Sequence, residues 1–201
     1  MEDISETLWF PTPIWIINDI KIDQSELKNY VLSIKEKDKK GRNLTNYGGW
    51  QSQQFVDNNP LYGFRDILDR YVNHVACRLL GKEKISSEAF HMDYWFNINS
   101  FGDYNTLHHH RGSLLSGVYY IDLPSDSKKC GKIVFRRDDD MEYYVPEGTK
   151  PEIMGTSVQY DPVVARLILF PSWLKHEVQG NRTNEKRISM SFNYQLLPLY
   201  M

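Results

Sequence analysis

The spacing of apolar residues along this chain changes once, from a helical period to strict alternation. Residues 7–19 read as an extended strand entering the fold. Asp23 then opens a helix, with Glu26 three positions on in capping-box spacing ahead of Leu27, Tyr30, Val31 and Ile34. That pattern fades through residues 35–42. Residues 46–55, around Gly48-Gly49-Trp50, read as irregular or as a short strand, and Asn59 with Pro60 supplies a cap and first-turn proline for a second helix. Its stripe of Leu61, Phe64, Ile67, Leu68, Tyr71, Val72, Val75 and Leu79 is read as core packing, closed by Gly81.

From Phe90 onward the period becomes 2. Strands are predicted at residues 89–99, 113–122, 131–137, 142–145, 152–160, 164–170 and 186–197, with the longest loop-like insert running from Asp138 to Glu152. A helical first half backing a run of short strands predicts an α+β fold whose strands close into a jelly roll, the inner face of which can host a site.

The 201 residues suffice for one substantial core, so a single domain over residues 1–201 is expected. A net charge of -2, with lysine and arginine spread along the chain, argues against a nucleic-acid tract or a basic membrane-binding helix. The apolar run 8–17 is broken by Pro11 and Pro13, so it reads as neither a signal peptide nor a membrane span, and a cytoplasmic location is expected. Cys77 and Cys130 are expected as reduced thiols.

Three of the six histidines fall in His108-His109-His110. In an extended segment residues 108 and 110 point to one face and 109 to the other, so two imidazoles converge. His176, in a distant strand-like segment, is placed to be a third ligand to a first-row metal. Eleven residues on comes Arg187, with Ser189 on the same face of the last strand. A guanidinium fork with a hydroxyl two residues on suits one end of a dicarboxylate.

A distal histidine followed by Arg-x-Ser resembles the iron(II)/2-oxoglutarate-dependent dioxygenase superfamily. More closely, Trp95-Phe-Asn-Ile-Asn-Ser-Phe-Gly102 leading to His108-His-His110, Ser116-Gly-Val-Tyr-Tyr-Ile-Asp-Leu-Pro124, Gly131-Lys-Ile-Val-Phe135 and Phe170-Pro-Ser-Trp-Leu-Lys-His176 resemble a family of 2-oxoglutarate/iron(II) oxygenases of bacteria and marine phages. The likeness covers residues 9–195, including the Phe10-Pro-Thr-Pro-Ile-Trp opening and Gly49-Trp50, and the prolyl-hydroxylase branch is similar too. The resemblance implies a cupin-like double-stranded β-helix backed by the N-terminal helices. It implies an oxygenase using Fe(II), dioxygen and 2-oxoglutarate, hydroxylating a C–H bond of a prolyl, other protein or amino-acid substrate, with release of succinate and CO2. Carried over by position, it implies that His108 and His176 bind iron, that Arg187 grips the distal carboxylate of 2-oxoglutarate, and that Tyr120 and Ser189 assist it. Asn97 is a further candidate for the proximal end. By alternation Asp93, Trp95, Asn97 and Asn99 share one polar face. Trp50, Trp95 and Trp173 are candidates to shield the site. A bacterial or phage-infected cell follows as the setting.

The chain departs from the usual facial triad of two histidines and a carboxylate, since residue 110 is histidine. Three neutral ligands leave the ferrous site one negative charge poorer. His110 is read as a true ligand, with Asp122 or Glu177 as alternative carboxylates. Two other readings stand beside this one: a three-histidine cupin-like dioxygenase that needs no 2-oxoglutarate, and a non-catalytic jelly-roll module holding a metal.

Overall fold

The computed structural model describes residues 11–56, 62–137, 150 and 155–197. Among them the element order is β1 (Trp15–Ile17), α1 (Gln24–Lys37), β2 (Asn46–Tyr47), β3 (Trp50–Gln51), β4 (Phe55–Val56), α2 (Tyr62–Leu80), β5 (Phe90–Asn99), β6 (Tyr104–His108), β7 (Leu115–Asp122), β8 (Ile133–Arg136), β9 (Ser157–Tyr160), β10 (Leu167–Pro171), β11 (His176–Val178) and β12 (Arg187–Leu196). A seven-stranded sheet runs β1-β10-β7-β12-β5-β3, with β4 also paired to β5, and a five-stranded sheet runs β2-β6-β11-β8-β9. Every pairing within both sheets is antiparallel. Two helices with two antiparallel sheets make an α+β chain of jelly-roll type.

The helices form where their local signals place them. The Asp23 carboxylate accepts the Glu26 N–H at 2.9 Å, satisfying a donor that the first turn cannot satisfy itself. Gly81 adopts a left-handed φ of 63°, which ends α2 without the steric cost a side chain would bring. Leu27 and Val31 of α1 and Phe64, Leu68, Val72 and Val75 of α2 are buried in one cluster with Met92, Tyr94, Phe96 and Ile98 of β5 and Ile188, Met190, Phe192 and Tyr194 of β12. Tyr71 and Leu79, expected in that core, lie at the margin of α2 and are 37% and 39% exposed. A second, smaller core of Val118, Tyr120, Ile133, Phe135, Ile168, Phe170 and Leu174 draws on both sheets. Gly117 sits where β7 presses on β12: a Cβ there would lie 2.4 Å from the Phe192 ring.

The alternating half contains two strands beyond those expected, β6 and β11. Neither announces itself: β6 is half-exposed along its length, and β11 is three residues long. Their hydrogen bonds come from neighbours already in place. The entry strand expected over residues 7–19 is a strand only at Trp15–Ile17 among the described residues, and the strand expected at 152–160 is one at Ser157–Tyr160. The expected strand 142–145, the Asp138–Asp140 run, Leu61 and the Asn59-Pro60 helix start lie outside the described residues. Both cysteines are free. Among the described residues no helix is long and apolar enough to cross a membrane.

Candidate active site

The longest strands, β5 and β12, turn their even-numbered residues into the helix-side core, so Asp93, Trp95, Asn97 and Asn99 face the other way, as do Arg187, Ser189, Ser191 and Asn193. The polar face expected from alternation is there. Register then sets these residues in rows. Asn97 pairs with Ser189, and Ser189 pairs with Tyr120 on β7. One polar row thus crosses three adjacent strands, with Arg187 two residues down β12 opposite Asn99.

The five-stranded sheet brings the histidines over that row. His176, the first residue of β11, pairs directly with His108, the last of β6. The backbone N–H of His110 donates to the carbonyl of Ser172 at 2.9 Å, tying the segment after β6 to the loop before β11. One ligand atom from each of His108, His110 and His176 falls within 4.8 Å of the others, and the ring centroids of His108 and His176 are 4.3 Å apart. Two rings are oriented by backbone. His108 Nδ1–H donates to the Thr106 carbonyl at 2.7 Å and His176 Nδ1–H to the Leu174 carbonyl at 2.9 Å, which leaves Nε2 of each as the lone-pair nitrogen. Burial, with the neighbouring histidines, pushes the His110 and His176 imidazoles down to about 3, and burial lowers His108 as well. All three are therefore neutral near pH 7, the form a metal ion requires.

Arg187 is 2% exposed, yet no carboxylate pairs with it among the described residues. One nitrogen, Nη1, donates to the carbonyls of Cys130 and Gly131 at 2.8 and 3.1 Å. These two bonds aim the guanidinium without neutralising it. A buried charge without a counter-ion is strongly disfavoured unless a ligand supplies one. Gly131 makes the clamp possible, since its φ is 91° and a Cβ there would lie 2.0 Å from the Gln179 carbonyl and 2.8 Å from Nη1. Burial pushes the Tyr120 phenol up to about 12, against the pull of Arg187, so it stays a neutral hydroxyl.

A single cavity is lined by His108, His110, His176, Arg187, Ser189, Tyr120 and Asn97, all seven residues singled out in the sequence. Trp95 also lines it, 5.7 Å from the His110 ring between centroids. The other two tryptophans do not. Trp50 is buried in the helix-side core with its Nε1–H on the Asp38 carbonyl at 2.7 Å, and Trp173 is 56% exposed. The alternative carboxylates are engaged elsewhere: Asp122 pairs with Lys28 at 2.7 Å and Glu177 with Arg136 at 2.6 Å. Thr45, Asn105 and Ser191 line the cavity without having been foreseen, and Ser191 accepts the Asn97 amide at 3.0 Å. Of these, Ser191 alone carried a signal, its parity with Arg187 and Ser189. Asn181, wholly buried, donates to the Asn99 and Glu185 carbonyls and so braces the turn into Arg187.

The model of a family described as "Putative 2OG-Fe(II) oxygenase" matches residues 93–193, half of the chain and the stretch holding all seven residues. Solved structures with the same fold include a Pseudomonas putida prolyl-4-hydroxylase, at 14% identity and a TM-score of 0.61, over 92% of this chain and 94% of that one. A Trichoplax adhaerens prolyl hydroxylase in complex with a hypoxia-inducible-factor peptide fragment is similar at 18% identity and a TM-score of 0.60, over 90% and 83% of the two chains. HygX from Streptomyces hygroscopicus with nickel and 2-oxoglutarate bound matches at 11% identity and a TM-score of 0.58, over 94% and 84%. No functionally curated protein matches by sequence.

Proposed function

The chain belongs to the 2OG-Fe(II) oxygenase family, and from that premise we propose that His108, His110 and His176 hold the iron while Arg187 binds the distal carboxylate of 2-oxoglutarate. The observation that carries the reading is the buried guanidinium of Arg187, paired with no carboxylate among the described residues, in the cavity that the three imidazoles share. The donor set fits both groups: neutral imidazoles, two of them with their Nδ1 protons committed to backbone carbonyls, suit a divalent metal, and the guanidinium suits a carboxylate. Bound there, Fe(II) and 2-oxoglutarate supply oxidative chemistry with dioxygen, yielding succinate and CO2.

The chain's own residues bind and orient. Cys130 and Gly131 hold Arg187 by their carbonyls, Tyr120 and Ser189 add hydroxyls beside it, and Asn97 presents an amide one strand over. The Thr106 and Leu174 carbonyls fix the His108 and His176 rings, while Trp95 walls the His110 side against water. Hydroxylation of a C–H bond is the proposed outcome, with a prolyl or other peptide side chain, or a free amino acid, as acceptor. Two of the similar structures are prolyl hydroxylases, one of them holding a peptide. A cytoplasmic setting is proposed with it.

The test is anaerobic titration of metal-free protein with Fe(II) and then 2-oxoglutarate, following the visible charge-transfer absorption of the chelate in wild type, Arg187→Ala and His110→Ala. A band that is present in wild type and lost in both variants supports the assignment. Iron binding without a band would move a three-histidine dioxygenase without 2-oxoglutarate to first place, and no iron binding would leave a non-catalytic module.

A further inference from the structure

The pairing of β6 with β11 contains a bulge. His176 pairs with His108 and Val178 with Asn105, so two residues of β6, Thr106 and Leu107, lie opposite the one residue Glu177 of β11. Both are exposed, Leu107 by 46%. A concavity of about 660 Å³ opens at this place, lined by β6, by β11 and the turn after it, and by residues of the short 3-10 turn Ser127–Lys129. It adjoins the inner cavity that holds the three histidines and Arg187, since Asn105 and Val178 line both.

Charge on this concavity is one-sided. Lys128, Lys129 and Arg182 line it, all exposed, and Glu177 is the sole carboxylate among the described lining residues. Glu177 is already neutralised by Arg136, at 2.6 Å, and Lys129 by Asp126, at 2.8 Å, and neither of those partners lines the concavity. No described carboxylate pairs with Lys128 or Arg182. Beside them stand Leu107 and Tyr104, whose ring is stacked at 4.9 Å on the 66% exposed Tyr47. Two separate cations on exposed side chains do not make a fixed cradle for one small anion. With apolar surface between them and room for several residues, they match an extended acidic stretch of polypeptide. The inner cavity has the same bias, since Arg187 lines it and no described carboxylate does.

We propose that this concavity is a docking site for an acidic segment of a polypeptide acceptor, held beside the metal site by Lys128 and Arg182. The acceptor role rests on the oxygenase reading above. The experiment is fluorescence anisotropy of a labelled oligoglutamate peptide on the metal-free protein, with an oligolysine peptide of equal length as control. Wild type is compared with the double variant Lys128→Glu, Arg182→Glu, with Arg187→Ala, and with Lys39→Glu, an exposed charge reversal on the far side of α1's end. The oligoglutamate should bind wild type and weaken as salt rises, and the oligolysine should not bind. Reversing both cations should weaken the oligoglutamate about tenfold, while Lys39→Glu, Arg187→Ala and excess 2-oxoglutarate leave it unchanged. Both substituted side chains are exposed, so the melting temperature should stay that of wild type. No binding to wild type, or equal binding by the double variant, overturns the proposal. Displacement by 2-oxoglutarate with loss in Arg187→Ala would seat the peptide in the inner cavity, and an equal loss in Lys39→Glu would make it a response to net charge; either result also overturns it. If the Fe(II) and 2-oxoglutarate titration shows no charge-transfer band, the cosubstrate reading fails, and the anisotropy of metal-free protein still decides the docking site.

Discussion

The two sheets build the same cavity by opposite means. In the seven-stranded sheet, β5 and β12 are ten residues long and pair along their whole length, with an apolar face against the helices and a polar face on the cavity. Strands of the five-stranded sheet are two to five residues long and take their order from their neighbours. The long strands set the rows on which a dicarboxylate can be aligned. The short ones bring two histidines from distant parts of the chain face to face at a single register pair, His176 with His108. A wide platform stabilises itself through its buried face, whereas a ligand-bearing flap depends on that platform being in place.

The largest effect should come from breaking the platform. Phe96→Ala removes a wholly buried ring packed edge-on to Tyr30 and Tyr94, and should cost about 3–5 kcal/mol in urea unfolding while leaving Fe(II) affinity of the folded fraction intact. If the metal site were lost before the fold, the dependence would run the other way. Gly131→Ala, where the sheets meet at the Arg187 clamp, forces an alanine to φ of 91° against a backbone oxygen. It should cost about 1–3 kcal/mol and also weaken 2-oxoglutarate, read by denaturation and by the charge-transfer titration. Asp23→Ala removes a helix cap on the platform side alone, so thermal unfolding should show a loss of about 1 kcal/mol with unchanged ligand affinities.

Smallest of all should be Glu177→Gln, beside His176 in the short sheet. Its pair with Arg136 is partly exposed, so stability should change by under about 1 kcal/mol and Fe(II) affinity not at all. A large loss of iron binding there would make Glu177 a ligand and remove His110 from the set.

Legibility follows the same division. β5 and β12 stand out in the sequence because one apolar face alternates with a polar one, β7 and β10 because they are short, largely apolar runs buried on both faces, and the α1 cap and Gly81 stop are local chemistry that needs no partner. The Arg187-x-Ser189 pair marks the site for the same reason, since parity on a strand is a property of the chain itself, whereas β6 ends at His108 and His110 is held beyond it by the Ser172 carbonyl. β6 and β11 escape notice because strands so short take their hydrogen bonds from β2, from β8 and from each other. Trp50, a cavity candidate beside two glycines, proves to be core, because which way β3 faces is decided by its pairing to Ile98 and not by its composition.

By itself, then, the sequence determined the faces: which residues of each long strand look toward the helices and which toward a site, because side-chain alternation is built into extended backbone. Only the tertiary structure decided the meetings, His108 with His176, Arg187 with the Cys130 and Gly131 carbonyls, and Gln51 with Asn97. Each joins segments far apart in the chain, and register between strands is set by the packing of both sheets together, which no local pattern encodes.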